Sequence, residues 1–221
     1  MIKWEHLEAD SVPGGGRIEL HRRGEEYVIR VDGFELMSNR QHGSEDALAD
    51  LAFDALGTRT AATRVLVGGL GMGFTLARAL ARSSPDSEVE VAELVPAVIR
   101  WNEGVLGEVA GHPLRDPRVV LHEGDVGKRI RAGGYDAVLL DVDNGPTALS
   151  HPENHWLYGR GGLNACRSGL RKRGVLTVWS VSHDDGFTRR LKSAGFRVEV
   201  KPVRSRGHKG QRHVVWVATV A

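Results

Sequence analysis

The chain has a single cysteine, Cys166, among 221 residues, so no internal disulfide can form and a reducing cytoplasm is the expected setting. It also lacks the 18 or so continuous apolar residues that a bilayer requires. Its most apolar stretches, such as residues 89–99, are broken by Glu90, Glu93 and Pro96. The opening MIKWEHLEAD lacks the charged-then-apolar layout of a secretory signal. Charge of one sign is missing too, since 30 Lys and Arg against 28 Asp and Glu leave a formal charge of +2, too weak a global field to imply nucleic acid. Internal repeats and low-complexity tracts are absent. The 41% hydrophobic and 26% charged residues that remain suit one main domain with a small appendage.

The first forty residues carry short alternating runs, Arg17 to His21, Tyr27 to Val31 and Phe34 to Met37, separated by Arg23-Gly24-Glu25 and Asp32-Gly33. Asp-Gly between alternating runs is a strong hairpin signal, so a small antiparallel β-domain is expected over residues 1–42. Ser44-Glu45-Asp46 then reads as an N-cap with first-turn acids, leading into Leu48, Leu51, Ala52, Ala55 and Leu56 at helical spacing and stopping at Gly57. From residue 64 the pattern alternates. Strand-like runs begin at Val65, Val89, Val119, Ala137 and Val175, and helix-period segments over 74–82, 96–109, 156–170 and 187–194 lie among them. Two final runs, Arg197 to Val200 and His213 to Val217, have no helix between them. The expected fold is therefore α/β: a doubly wound, mostly parallel seven-stranded sheet of the S-adenosylmethionine-dependent methyltransferase type, with an antiparallel C-terminal strand pair, over residues 43–221.

Gly68, Gly69, Gly71 and Gly73 follow the strand at Val65 and precede a helix. Glycine there allows positive φ and close approach of a ligand to the main chain. A dinucleotide site wants Gly-x-Gly-x-x-Gly, whose third glycine would fall on Phe74; the observed spacing suits a nucleoside without pyrophosphate and opposes a nicotinamide dehydrogenase. Glu93 ends the second strand, where a carboxylate can accept from both ribose hydroxyls, and Asp125 closes the third, where it can accept from an adenine amino group. Leu94 and Val126 adjoin them and complete the expected cofactor-binding set. Each feature alone is equally a turn or a helix cap; together, at successive strand ends, they point to an adenosyl ligand.

The order of these motifs resembles the spermidine synthase family. It runs from a Val-Asp-Gly hairpin and a Ser-Glu helix through Val65-Leu66-Val67-Gly68-Gly69-Leu70-Gly71-Met72-Gly73 and Val89-Glu90-Val91-Ala92-Glu93-Leu94. Asp116-Pro117-Arg118-Val119, Gly124-Asp125 and Tyr135-Asp136-Ala137-Val138-Leu139-Leu140-Asp141 complete it. The resemblance implies cofactor roles for the glycine loop, Glu93 and Asp125, a proton-accepting role for Asp141, and a homodimer. Three positions depart from the family. Leu70 stands where members using decarboxylated S-adenosylmethionine carry an acid facing the aminopropyl amine. The family's Asp-x-x-Asp-Pro becomes Asp141-Val142-Asp143-Asn144-Gly145-Pro146, and Gly43-Ser44 replaces an aromatic-plus-polar pair before Glu45.

A sulfonium cofactor is already activated, so the protein must align the nucleophile and take its proton. Asp141, delivered by the run Val138-Leu139-Leu140, is the candidate base and also borders the cofactor, with Asp143 and Asn144 orienting the substrate. The first expectation is methyl transfer from S-adenosylmethionine to a small nucleophile such as an amine, because Leu70 removes the acid that the decarboxylated cofactor would want. The alternatives are aminopropyl transfer from decarboxylated S-adenosylmethionine to a polyamine, or a non-catalytic adenosine-binding module. No metal is expected. His151 and His155 are separated by Pro152 and lack a third ligand. Trp156 and Tyr158 read as core or as a stacking surface. Arg171-Lys172-Arg173 reads as the end of a helix, and the basic residues between Arg204 and Arg212 as a solvated hairpin loop able to attract an anion, with nucleic acid not expected.

Overall fold

The computed structural model describes residues 2–58, 62–142, 146, 154–206 and 209–221. The chain opens with a four-stranded antiparallel sheet of β1 (Glu5–Ser11), β2 (Arg17–Arg23), β3 (Glu26–Val31) and β4 (Phe34–Ser38), in that order. β1 escaped the sequence pattern because its register shifts between His6 and Glu8, and such a bulge breaks the period of two. Helix α1 (Gly43–Leu56) follows and ends at Gly57 with φ 64°. Ser44 lies inside the helix rather than capping it. The N-cap position belongs to His42, whose ring meets Asp46 Oδ2 and not the free helix amides, and the Ser44 hydroxyl is turned onto Glu45 Oε2 at 2.6 Å.

The second sheet contains β5 (Arg64–Gly68), β6 (Glu88–Glu93), β7 (Val119–Glu123), β8 (Tyr135–Leu140), β9 (Leu170–Ser180), β10 (Phe196–Arg206) and β11 (Lys209–Val220). Its order is β10-β11-β9-β8-β5-β6-β7, with only the pairs made by β11 antiparallel. Helices α2 (Phe74–Arg82), α3 (Pro96–Glu103), α4 (Val126–Ala132), α5 (Asn154–Tyr158), α6 (Arg160–Gly169) and α7 (Asp185–Ser193) lie between the strands. This is the expected fold class. Two expected helices are shorter than their apolar period suggested: 96–109 ends at Gly104 and continues as a 3₁₀ turn, Gly107–Ala110, while 156–170 is divided at Gly159. Among the described residues no helix is long and apolar enough to cross a membrane.

Two basic clusters sit differently from their sequence reading. Arg171-Lys172-Arg173 begins β9 instead of ending a helix, and Arg171 pairs with Asp136 at 2.7 Å. At Gly169, the last residue of α6, a Cβ would lie 2.4 Å from the Ile130 carbonyl oxygen, so the two backbones pass too closely for any other residue there. Arg204, Arg206, Lys209 and Arg212 lie in the strands β10 and β11, whose ladder extends well beyond the expected apolar runs.

Ile18, Leu20 and Ile29 of the first sheet belong to the same buried cluster as Val65, Val67 and Leu139 of the second. Glu90, which interrupts the apolar run of β6, is buried with Arg64, Arg129, His122 and Tyr135 bonded to its carboxylate. Four partners offset the desolvation of one charge. Cys166 is fully enclosed and its thiol is pushed up to about 12 by burial, which leaves it without nucleophilic character.

Candidate functional site

β5 is the switch point of the second sheet. β6 and β7 build out from one of its sides and β8 and β9 from the other, so the crevice opens between the carboxyl ends of β5 and β8. Asp141 N–H donates to the Gly68 carbonyl at 2.8 Å and locks those two ends together. The cavity that begins there has a volume of about 700 Å³ and reaches from the glycine loop to the first sheet and the β10–β11 hairpin.

The glycines divide by task. Gly69 and Gly71 line the cavity with φ of 90° and 52°. Gly68 is packed away from it, where a Cβ would meet Val126 Cγ2 at 2.8 Å and Leu140 Cδ2 at 3.0 Å. Gly73, φ 86°, is the N-cap of α2 and presses on Asn102. A Cβ on Gly69 would sit 2.3 Å from the Asp141 carbonyl oxygen, and main chain cannot retreat from it. Gly69→Ala is therefore expected to destabilise the fold by at least about 2 kcal/mol, from the clash and the positive φ together. An unchanged urea midpoint would contradict this account of the loop.

Glu93 holds the loop in place. Its carboxylate accepts from Leu70 N–H and from Val95 N–H, each at 2.8 Å, and burial raises its pKa against the pull of those amides. It faces the cavity together with Leu94. Asp125 caps a helix and also stands at the cavity. Its Oδ1 accepts from Gly127 N–H at 2.8 Å as the N-cap of α4, and the residue also lines the cavity, beside Val126. Leu70 lines the cavity and is at the same time buried in the core cluster.

At the other end stand Asp141 and Glu45. Asp141 Oδ2 accepts from the Thr75 hydroxyl at 2.6 Å, which fixes the carboxylate at the start of α2. Loss of hydration lifts its pKa to about 6. Glu45, in the first turn of α1, is pushed up to about 7, first by burial and then by the charge of Asp141, with the Ser44 hydroxyl pulling the other way. A charge already standing on Asp141 disfavours a second one on Glu45 in the same cavity, so Glu45 keeps its proton into the neutral range. The chain of bonds continues: Ser44 Oγ lies 3.0 Å from His213 Nδ1 on β11, and His213 packs edge-on against Trp179 with centroids 4.8 Å apart. Burial keeps His213 below the usual imidazole range.

The sequence-expected cofactor set thus converges, apart from Gly68 and Gly73, which shape the loop without lining the cavity. Asp143 and Asn144, expected to orient the substrate, lie outside the described residues, as does His151. Tyr158 is buried and donates to the Val142 carbonyl at 3.0 Å; Trp156 lies under the Arg131 guanidinium, 4.0 Å from its ring centre. Both anchor α5. Sequence reasoning missed Thr75 and His213, and it read Glu45 only as a first-turn acid. No local pattern joins Ser44 to a histidine 169 residues away.

Five carboxylates line the cavity, Glu35, Glu45, Glu93, Asp125 and Asp141, and among the described residues no Lys or Arg does. The first sheet adds the apolar side chains Ile18, Ile29, Leu36 and Met37 beside Glu35.

No family model and no curated protein matches the sequence. Solved structures do match. Spermidine synthase in complex with the transition state analogue AdoDATO superposes with a TM-score of 0.78 at 17% identity, covering all of this chain and 74% of that one. Spermidine synthase from Thermotoga maritima gives 0.79 at 17% identity, with coverage of 100% and 75%. A probable spermidine synthase from Corynebacterium glutamicum ATCC 13032 gives 0.64 at 18%, with coverage of 97% and 79%. The chain has the fold of the spermidine synthases.

Proposed function

We propose that the chain is a transferase that binds decarboxylated S-adenosylmethionine and moves its aminopropyl group to an amine of a cationic acceptor, a diamine or polyamine. The charge of the cavity carries this reading. Five carboxylates without a lining Lys or Arg among the described residues suit a sulfonium, a free ammonium and an amine acceptor. The carboxylate tail of intact S-adenosylmethionine would meet Glu45 and Asp141 with no cationic side chain beside it. Methyl transfer, the first expectation, rested on the lack of an acid at Leu70. Glu45 offers from α1 the counter-charge that the loop does not, so aminopropyl transfer becomes the better reading. The likeness to spermidine synthases, one of them in complex with the transition state analogue AdoDATO, supports the same choice.

In this reading Glu93 would hold the ribose hydroxyls with the lone pairs that the loop amides leave, Asp125 the adenine amino group, and the bare main chain at Gly69 and Gly71 would admit the adenosyl group closely. When bound, the sulfonium supplies an electrophilic carbon whose leaving group is a neutral thioether. The attacking nitrogen must shed a proton, and Asp141, held by Thr75, receives it. Glu45 attracts the ammonium end and is itself steadied by Ser44 and His213. The apolar wall of Ile18, Ile29 and Met37 suits the methylenes between the charges.

Calorimetric titration with both cofactor forms tests the proposal. The decarboxylated form is expected to bind at least about tenfold more tightly, and incubation with it and 1,4-diaminobutane to yield an aminopropylated product by mass spectrometry. Tighter binding of the intact form, or a methylated product, would restore methyl transfer. Cofactor binding without turnover on any amine would leave the non-catalytic module.

A further inference from the structure

The outer face of the first sheet carries three side chains that the cavity does not use. Ile18 and Leu20 of β2 turn into the core, so strand alternation sends Glu19 and His21 to the opposite face. There His6 of β1 stands directly across from His21 in the ladder. His6 Nε2 lies 3.7 Å from Glu19 Oε1 and His21 Nε2 lies 3.8 Å from Glu19 Oε2. The two rings meet edge-on with centroids 5.1 Å apart, and one ligand atom from each of the three residues lies within 4.8 Å of the others.

His21 Nε2 is buried and, among the described residues, makes no hydrogen bond. Such an orphaned polar atom requires an explanation. A protonated imidazole donating to Glu19 would be one, but 3.8 Å is too long, and burial, with the Arg30 charge, keeps the His21 pKa low. The geometry leaves the Nε2 atom of His21 without a hydrogen-bond partner among the described residues and facing Glu19 and His6. Tetrahedral coordination at bonds of about 2.0–2.2 Å spaces ligand atoms roughly 3.3–3.6 Å apart, so the three ligand atoms, already within 4.8 Å of one another, must draw together by side-chain rotation to reach it.

We propose that His6, Glu19 and His21 form a binding site for a borderline divalent metal ion, best matched by Zn²⁺. Two imidazoles and one carboxylate favour Zn²⁺, Co²⁺, Ni²⁺ or Cu²⁺ over Mg²⁺ or Ca²⁺, which prefer oxygen. The charges against it are Arg30 and Arg17, whose Nε lies 3.2 Å from Glu19 Oε1. The Arg17 side chain is 65% exposed and can swing into water when an ion arrives. The ion would tie the edge strand β1 to β2. The residues between those two strands, Val12, Pro13 and Gly14, line the cavity, so the metal would brace the hairpin from the end opposite the site and take no part in the transfer itself.

The full chain, stripped with a chelator and dialysed, is titrated with ZnCl₂ by calorimetry and with CoCl₂ by visible absorption. The expected results are micromolar or tighter Zn²⁺ binding and the intense bands of tetrahedral Co²⁺. His6→Ala and Glu19→Gln, at side chains that are not buried in the core, should each weaken Zn²⁺ binding by at least about tenfold, with circular dichroism confirming the fold. Absence of Zn²⁺ binding to the wild-type chain up to about 100 µM overturns the proposal whatever the variants do. Binding unchanged in both variants overturns it equally, by placing the ion on other histidines.

Discussion

Asp141→Asn is expected to lower kcat for aminopropyl transfer by roughly 10²- to 10⁴-fold, the usual worth of a positioned proton acceptor, with the fold intact. Asparagine keeps an oxygen for the Thr75 hydroxyl, so the 2.6 Å bond that orients the side chain has a successor. What it removes is the ability to hold a proton. Because loss of hydration raises the acid to about 6, the wild-type rate should climb with pH across that region as the base form appears, and the variant should lose this limb. Stopped assays across pH 5 to 9, alongside thermal denaturation, provide the check. A kcat within tenfold of wild type in a folded variant would dismiss Asp141 as the base.

Glu45→Gln is expected to separate stability from activity. In the folded chain the Glu45 carboxyl stands at about 7 against an ordinary 4.5. A raised carboxylate pKa means that the folded state holds the proton more firmly than the unfolded state, so stability declines as pH rises from about 4.5 through about 7. Glutamine removes that penalty. At pH 8 the variant should be more stable by roughly 1 to 2 kcal/mol, or about 2 to 6 °C in Tm for a chain of this size. At pH 5 the gain should vanish. Asp141, raised by burial and not by Glu45, should keep the rising limb of its rate profile in place. The KM for a diamine should increase at least about tenfold, because a counter-charge in the cavity is gone. Calorimetry at the two pH values and a rate profile decide it; an equal Tm change at both, with KM unmoved, would mean that the acids neither repel one another nor receive the acceptor.

Much of this arrangement was legible from residues alone, for a physical reason. Strand-end positions in a parallel sheet are specified by local runs, so Val65 to Val67 followed by glycines, or Val138 to Leu140 followed by Asp141, announce both an element and what it delivers. Positions that depend on pairing between distant segments leave no such trace. β1 was hidden by the shift between His6 and Glu8, and the β10–β11 ladder runs past its apolar stretch into Arg204 and Arg212, where backbone pairing overrides polarity. The same holds for chemistry. Glu93 and Asp125 were found by position in sequence order, whereas Glu45 gained its meaning only when α1 was seen to bring it to Asp141. Arg171-Lys172-Arg173, read as a helix end, starts β9, since the pairing of Leu170 with Tyr135 of β8 joins distant segments and is invisible to charge patterning.

Ile18 and Ile29 are at once walls of the cavity and members of the buried cluster that joins the two sheets. Recognition and folding therefore compete for the same atoms. Carving room for a longer or branched acceptor by trimming either isoleucine would cost about 1 kcal/mol per methylene or more before any new ligand was gained. Leu36, exposed on the edge strand β4, escapes that double duty, whereas Met37 packs against the same cluster. Acceptor range should drift most readily along this outer strand, while the isoleucine pair keeps the width of the slot nearly fixed.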